Sequence, residues 1–390
     1  MSQSIEVVIP VHETARPLER GLESILAQRA ELSGLGVDLR ATVVCHNIPV
    51  EAVQGSVTAA VAEDDAVTWL GHDDGTRSPA GPRNAALDRS KATFLSFLDS
   101  DDYLEPGSLA AWWKVAEAQG AAAVMAPLRT PEGTILRSPR IRPSKPAVLD
   151  AVKDGLAYRS VPYGLLRRDA VVAAGFRYAE GISTGEDIEA TLTLWFRSGV
   201  ICYPYAAPAY HQTDDAGMGR VTSRLLPLQE EFEWLGPLLT APWLLAATET
   251  ERRAVALKIL RIHGIGALLR RAAGTQPDNV LWNGAERRYW SGLLARLETL
   301  AGGRLPSLSR RDAALCRAAA KAGELQQLRA AVVLHDKAGR KGDLLTEGRF
   351  SALSRDSVLR HYVNERLRSK SGVYSAPPPL EAAGGGQNSR

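Results

Sequence analysis

Apolar residues in the first 125 positions fall into short runs separated by segments of helical spacing. Ile5-Glu6-Val7-Val8-Ile9 reads as a buried strand that ends at Pro10. Leu18, Leu22, Ile25 and Leu26 then share one helical face behind Pro17, a residue suited to a first helical turn. Leu39 to Cys45 and Val67 to Leu70 predict the second and third strands, with a helix over Val50 to Val61 between them. Ser78 and Pro79 predict a helix start running to Ser90. A fourth strand begins at Thr93 and stops at Asp99-Ser100-Asp101-Asp102, and a helix follows from Pro106 to Gln119. Strands alternating with helices predict a doubly wound, mainly parallel sheet, whose ligands bind outside the carboxyl ends of the strands.

Prolines and arginines interrupt the pattern between Pro127 and Pro146, which reads as loop. Val161 to Phe176 predicts a strand-like piece and a short helix. Thr184-Gly185-Glu186-Asp187 precedes a segment in which Ile188, Leu192, Trp195 and Phe196 share a face, so Asp187 belongs at a helix start. Val200 to Tyr210 reads as extended, ending in Tyr210-His211. From Leu225 the texture changes to Leu, Ala and Arg at helical spacing. The expected organisation is an α/β domain over residues 1–222, a basic α-helical domain over 223–370 and a disordered tail over 371–390, where PPP and GGG stand.

A length of 390 residues suits two domains, and 45% hydrophobic with 23% charged residues is ordinary for a soluble protein. The apolar runs are too short to span a bilayer, and a secretory leader is not expected. Cys45, Cys202 and Cys316 are few and scattered, which suits a reducing cytoplasm. The net charge of +3 hides an asymmetry: acid dominates to residue 249 and base from 250 to 370. The basic helices have three readings: a surface for an anionic acceptor such as a phosphate-rich polymer, a rest on anionic headgroups at the inner membrane face, or solvated helix faces. Nucleic acid is disfavoured, since neither a recognised module nor aromatic stacking accompanies the charge.

Three carboxylates within four positions at a strand end are costly to gather without a cation or donors to neutralise them. Hard oxygen ligands of this kind suit Mn²⁺ or Mg²⁺ holding a substrate's phosphates; the plain alternative is a solvated acidic turn before a helix. Glu186-Asp187, likewise, is at minimum favourable charge at a helix N-terminus.

The ordered pieces VVIPVHETARPLERGLESILAQ, SPAGPRNAAL, FLSFLDSDDYLEPGSL and GLLRRDAVVAAGF…GEDIEATLTLWFRSG resemble family-2 glycosyltransferases of the GT-A fold, over the first 215 or so residues. That resemblance implies inverting transfer of a sugar from a nucleotide-diphosphate donor to an acceptor hydroxyl. It assigns the donor nucleotide to Pro10, Val11, Glu13, Asn47, Arg83, Asn84, Asp99 and Ser100, and a divalent cation to Asp101, with Asp102 and His211 as further ligands. Asp187 takes the place of the catalytic base, with Glu186 beside it. One departure concerns the second strand, which ends Val44-Cys45-His46-Asn47 where many relatives carry an aspartate pair; Asp73-Asp74 comes later and looks displaced from that role. UDP is favoured as the family's commonest nucleotide. Two rival readings are a nucleotidyltransferase and a non-catalytic scaffold that binds an anionic polymer.

Overall fold

The computed structural model describes residues 3–142, 148–213, 225–303, 308–348 and 351–370. The expected boundary at 222/223 and the tail from 371 lie outside the described residues.

Among the described residues eleven strands form two sheets. The larger has the order β3-β2-β1-β4-β9-β6-β10-β8, built from β1 (Gln3–Val11), β2 (Val37–His46), β3 (Val67–His72), β4 (Phe94–Phe97), β6 (Ala123–Met125), β8 (Val148–Leu149), β9 (Gly164–Arg167) and β10 (Ile201–Cys202). The smaller has the order β5-β11-β7, from β5 (Tyr103–Leu104), β7 (Leu128–Arg129) and β11 (Tyr210–His211). β1, β2, β3 and β4 are mutually parallel, as the alternating pattern predicts. β9 runs antiparallel to both β4 and β6, so the sheet is mixed at its centre. Strand direction is not encoded in a period of two, and the sequence pattern is silent on it.

Each face of the sheet is covered. One is packed by α1 (Leu18–Leu26) and, beyond α2 (Ala80–Arg89) in sequence, by α3 (Ser108–Gln119); Leu18, Leu22, Ile25, Leu109 and Trp112 are fully or almost fully buried there. The opposite face packs α2 and α4 (Ile188–Arg197) through Ala86, Ile188, Leu192 and Trp195. That second apolar cluster continues without a break into the C-terminal helices α5 (Glu249–Lys258), α6 (Ile265–Ala273), α7 (Gly284–Leu300), α8 (Arg310–Lys321) and α9 (Leu325–Lys337), through Leu257, Leu268, Trp290, Leu293, Leu315 and Leu328. A further helix, α10, spans Val358–Lys370. The buried Arg271 of α6 ties the layer together by pairing with Glu231 at 2.6 Å and Glu286 at 3.1 Å. No helix among the described residues is long and apolar enough to cross a membrane.

The helix expected over Val50 to Val61 is two short ones, Val50–Gln54 and Ala59–Ala62. The Ser56 hydroxyl donates to the Val53 carbonyl at 2.7 Å and ends the first, a local side-chain bond that competes with helix continuation.

Gly164 opens β9 with φ of +133°, opposite Met125 of β6. A Cβ there would lie 2.0 Å from the Val124 carbonyl oxygen. Gly164→Ala is expected to destabilise the protein by roughly 2–4 kcal/mol, combining backbone strain with a clash against main chain. Urea unfolding at equilibrium measures the loss.

Candidate active site

β1 and β4 run side by side, with the Leu98 N–H donating to the Val8 carbonyl at 3.0 Å. Their register sets Asp99 beside Pro10, and the chain turns at once, the Asp102 N–H donating back to the Asp99 carbonyl at 3.0 Å. The turn floors a cleft of about 760 Å³ lined by Pro10, Val11, Arg16, His46, Arg77, Arg83, Asp99, Ser100, Asp101, Asp102 and Tyr163 among others. A second recess of about 490 Å³ is lined by Glu186, Asp187, Ser160, Trp234, His263 and Arg270. Val161 lines both.

The buried guanidinium of Arg83, on α2, spans the wall between them. It donates to Asp99 Oδ1 at 2.6 Å and to Glu186 Oε1 at 3.1 Å, and it faces the Tyr178 ring at 5.2 Å. Burial works against its charge, but Asp99, with Tyr178, Tyr163 and Glu186 contributing, holds its pKa well above the usual arginine value. Asp99 is held from the other side too, its Oδ2 accepting from the Tyr163 hydroxyl at 2.5 Å. Tyr163 stacks on Tyr210 at 4.3 Å.

The three aspartates are unlike one another. Asp102 is almost fully buried, and its two oxygens accept from the Tyr210 hydroxyl at 2.7 Å and the Thr213 N–H at 2.8 Å. Burial, then the charge of Asp99, pushes its pKa up to about 7. Asp101 lines the cleft and pairs through one oxygen with Arg16 at 2.7 Å. Arg16 also holds Glu13 at 2.8 Å, so Glu13 is engaged at the cleft's edge. His211 lies in β11, its ring stacked on Tyr103 at 4.5 Å and its Nδ1 bonded to the Gln212 carbonyl at 3.0 Å. Among the described residues no three His, Cys, Asp or Glu side chains gather into a metal cage. Asp101 and Asp102 both line the cleft, and Asp101, the more exposed of the two, could hold a cation jointly with a ligand's phosphates, a mode Mg²⁺ favours; His211 is not among the residues that line it.

Asn84 is turned inward. Its amide donates to the Tyr178 carbonyl at 2.9 Å and to Glu180 at 2.6 Å, and its oxygen accepts from the Tyr178 N–H at 3.0 Å. It anchors the strip that carries Tyr178 and approaches Glu186. Asn47, with φ of 54°, uses its side chain on the following loop, its oxygen accepting from the N–H groups of Asp74 and Gly75 at 3.1 and 3.0 Å. Asp74, which looks displaced in sequence, is thereby folded back to the end of β2. It bonds His46 at 2.8 Å, and against the upward push of burial this bond keeps its carboxyl well below the usual range. Tyr163 and Arg16 carry no sequence signal of their own, and Asp74 and Tyr210 carry none that places them here. They reach the site through register and loop closure.

Asp187 caps α4 without a side-chain bond to that helix. Burial, then the neighbouring Glu186, pushes its pKa up to about 7, while Arg83 and Lys258 pull it down. Lys258 is fully buried at the end of α5, its Nζ 2.6 Å from Nε2 of His263. His263 lies in the π-helical turn Ile259–Gly264, with its ring 4.9 Å from that of Trp234. Burial pushes Lys258 down to about 7. Trp234 in turn presses on Gly185, whose φ of +76° and lack of a side chain admit the indole. The C-terminal helices therefore complete the recess beside the Glu-Asp pair.

Neither a protein-family model nor a curated protein matches the sequence. Solved structures do. A fragment of Staphylococcus aureus TarS, residues 1–349, superposes with a TM-score of 0.66 in complex with UDP-GlcNAc, at 15% identity over 86% of this chain and 92% of that one. The same fragment without that ligand gives 0.63 at 13% identity. Against a longer TarS structure the score is 0.58 at 14% identity, and the chain spans 55% of its length. The chain has the GT-A fold. The likeness runs on into the C-terminal helices, since 86% coverage exceeds the α/β part.

Replacing Arg83 by Met should cost about 3–5 kcal/mol, because Asp99 and Glu186 would be left partly buried without their counter-ion. Arg83→Met/Glu186→Gln should recover part of that loss, and denaturant titration of the three proteins reads the coupling directly.

Proposed function

We propose that this chain is an inverting glycosyltransferase that moves a sugar from a nucleotide-diphosphate donor in the Asp99 cleft to an acceptor hydroxyl in the Asp187 recess. The observation that carries the reading is the Arg83 bridge: one buried guanidinium joins the donor-side Asp99 to Glu186, next to the carboxylate best suited to act as base. UDP is the favoured nucleotide, in keeping with the UDP-GlcNAc bound in the TarS fragment. A carbohydrate or polyol-phosphate acceptor would suit a recess flanked by His263 and Arg270.

In this reading Asp187 accepts the proton of the acceptor hydroxyl as the hydroxyl oxygen bonds the anomeric carbon. The bond from that carbon to the donor phosphate breaks on the opposite face, so configuration inverts. Glu186, held by Arg83, orients the segment on which Asp187 stands. Arg16 and Arg77 line the donor cleft and offset the charge of the departing diphosphate. Mn²⁺ or Mg²⁺, when held between Asp101 and the donor phosphates, would supply Lewis-acid stabilisation of the leaving group.

Asp187→Asn should lower kcat by about 10³-fold and leave donor affinity unchanged in calorimetry. Asp101→Ala should instead weaken metal-dependent donor binding. Should UDP-, GDP-, CDP- and dTDP-sugars all fail to release nucleotide with Mn²⁺ present, the scaffold reading would replace this one.

The base must be ionised, and a carboxyl raised to about 7 is protonated below that pH. The rate as kcat/KM should therefore fall with decreasing pH through about 7. Lys258→Met removes a positive charge that favours the carboxylate, so the acidic limb should move to higher pH, as a full pH–rate profile will show.

A further inference from the structure

A cavity of about 580 Å³ lies apart from both recesses, built from three stretches of chain: residues 140–158, 254–261 and 355–364. Arg140 and Arg261 line its inner part, while Arg355 and Arg360 stand exposed at its rim. The Arg140 guanidinium carbon lies 3.8 Å from the centre of the Tyr158 ring, and Arg261 donates to the Tyr158 hydroxyl at 3.0 Å, so one tyrosine sets both guanidinium groups. Arg142 also lines the cavity, but its charge is spent on Asp154, which it grips through Nε at 2.8 Å and Nη2 at 2.9 Å.

Three of the arginines are not matched in this way. Among the described residues Arg140, Arg355 and Arg360 make no ion pair, and Asp356 is the one carboxylate that lines the cavity. Glu365 stands near Arg140 but is paired with Arg137 at 3.8 Å. Burial, and with it the charge of Arg261, holds Arg140 below the usual arginine value, against the partial relief of Tyr158, Glu365 and Asp356. Guanidinium groups assembled with too few carboxylates repel one another unless an anion joins them. Several planar N–H forks converging on one space match the tetrahedral oxygens of a phosphate, each fork taking two. The volume is that of a small-ligand site.

We propose that this cavity binds a phosphate monoester or diester group, in a site separate from the donor cleft. A recess with its arginines at two depths admits a single phosphate on a small or flexible molecule; the flat face of a bilayer would meet the rim alone. Its position adds a consequence. Tyr158 and Arg261 face this cavity, while Ser160 and His263, two residues further along the same two segments, line the recess of Asp187. A phosphate held here sits behind the wall of that recess.

Binding can be read without turnover, so the outcome is independent of the glycosyltransferase reading. Inorganic phosphate and sn-glycero-3-phosphoglycerol would be titrated calorimetrically into the full chain, and tungstate soaked into crystals as a heavy phosphate analogue. Saturation by either phosphate probe is expected, with stronger binding by the one matching the natural group, and an anomalous tungstate peak between Arg140 and Arg360. Arg355→Gln/Arg360→Gln, at exposed positions that folding tolerates, should lose at least about tenfold in affinity, and Arg140→Gln should do the same. Unchanged affinity in these variants, or tungstate found in the donor cleft and absent from this cavity, would overturn the proposal. So would arginine-dependent capture by phosphatidylglycerol vesicles with no binding of either soluble probe, which would make the patch a membrane contact.

Discussion

A single guanidinium organises the centre of this molecule. Arg83 is buried between Asp99 and Glu186, two carboxylates contributed by segments far apart in sequence. Either carboxylate would be costly in that setting without a counter-ion, and the arginine would be costly without both. The consequence is geometric as much as energetic. The acidic turn after β4 and the loop before α4 are held at a set separation, so a group in one recess and a group in the other face each other across a fixed wall. The transfer proposed between two bound molecules would need that constancy, since misplacement by an ångström is expensive.

The C-terminal helices take part in this arrangement. Their apolar core is continuous with one face of the sheet, and Trp234, Lys258 and His263 abut the Glu-Asp segment. A π-helical turn at Ile259–Gly264 divides the work of that layer, presenting Arg261 to the basic cavity and His263 to the recess. Such turns often occur at functional sites. The basic character of this region is partly internal, spent on pairs such as Arg271 with Glu231 and Glu286. Part of what is left over lines one cavity.

Much of the α/β architecture was legible beforehand. Alternating strand and helix patterns located β1 to β4 and α1 to α3 to within a few residues, since burial on both faces leaves continuous apolar runs. The antiparallel β9 was not legible as such, for direction depends on which neighbours the strand meets. Of the residues singled out by motif, Asp99, Asp101, Arg83, Glu186 and Asp187 come together around two joined recesses. Asn84 and Asn47 turn to backbone instead, because a buried or turn-forming amide is satisfied by the nearest peptide groups.

The sequence by itself determined the elements and their order, the acidic end of β4 and the Glu-Asp start of α4, because period, capping chemistry and local charge are written residue by residue. Only the tertiary structure decided the partnerships. Asp99 is shared between Arg83 and Tyr163, Asp102 is closed off by Tyr210 and Thr213, and Asp74 returns to His46. Lys258 stands behind Asp187 from a helix some seventy residues on. Which carboxylate is free, neutralised or raised toward neutrality depends on burial and on distant charges, and those exist only once the chain has closed on itself.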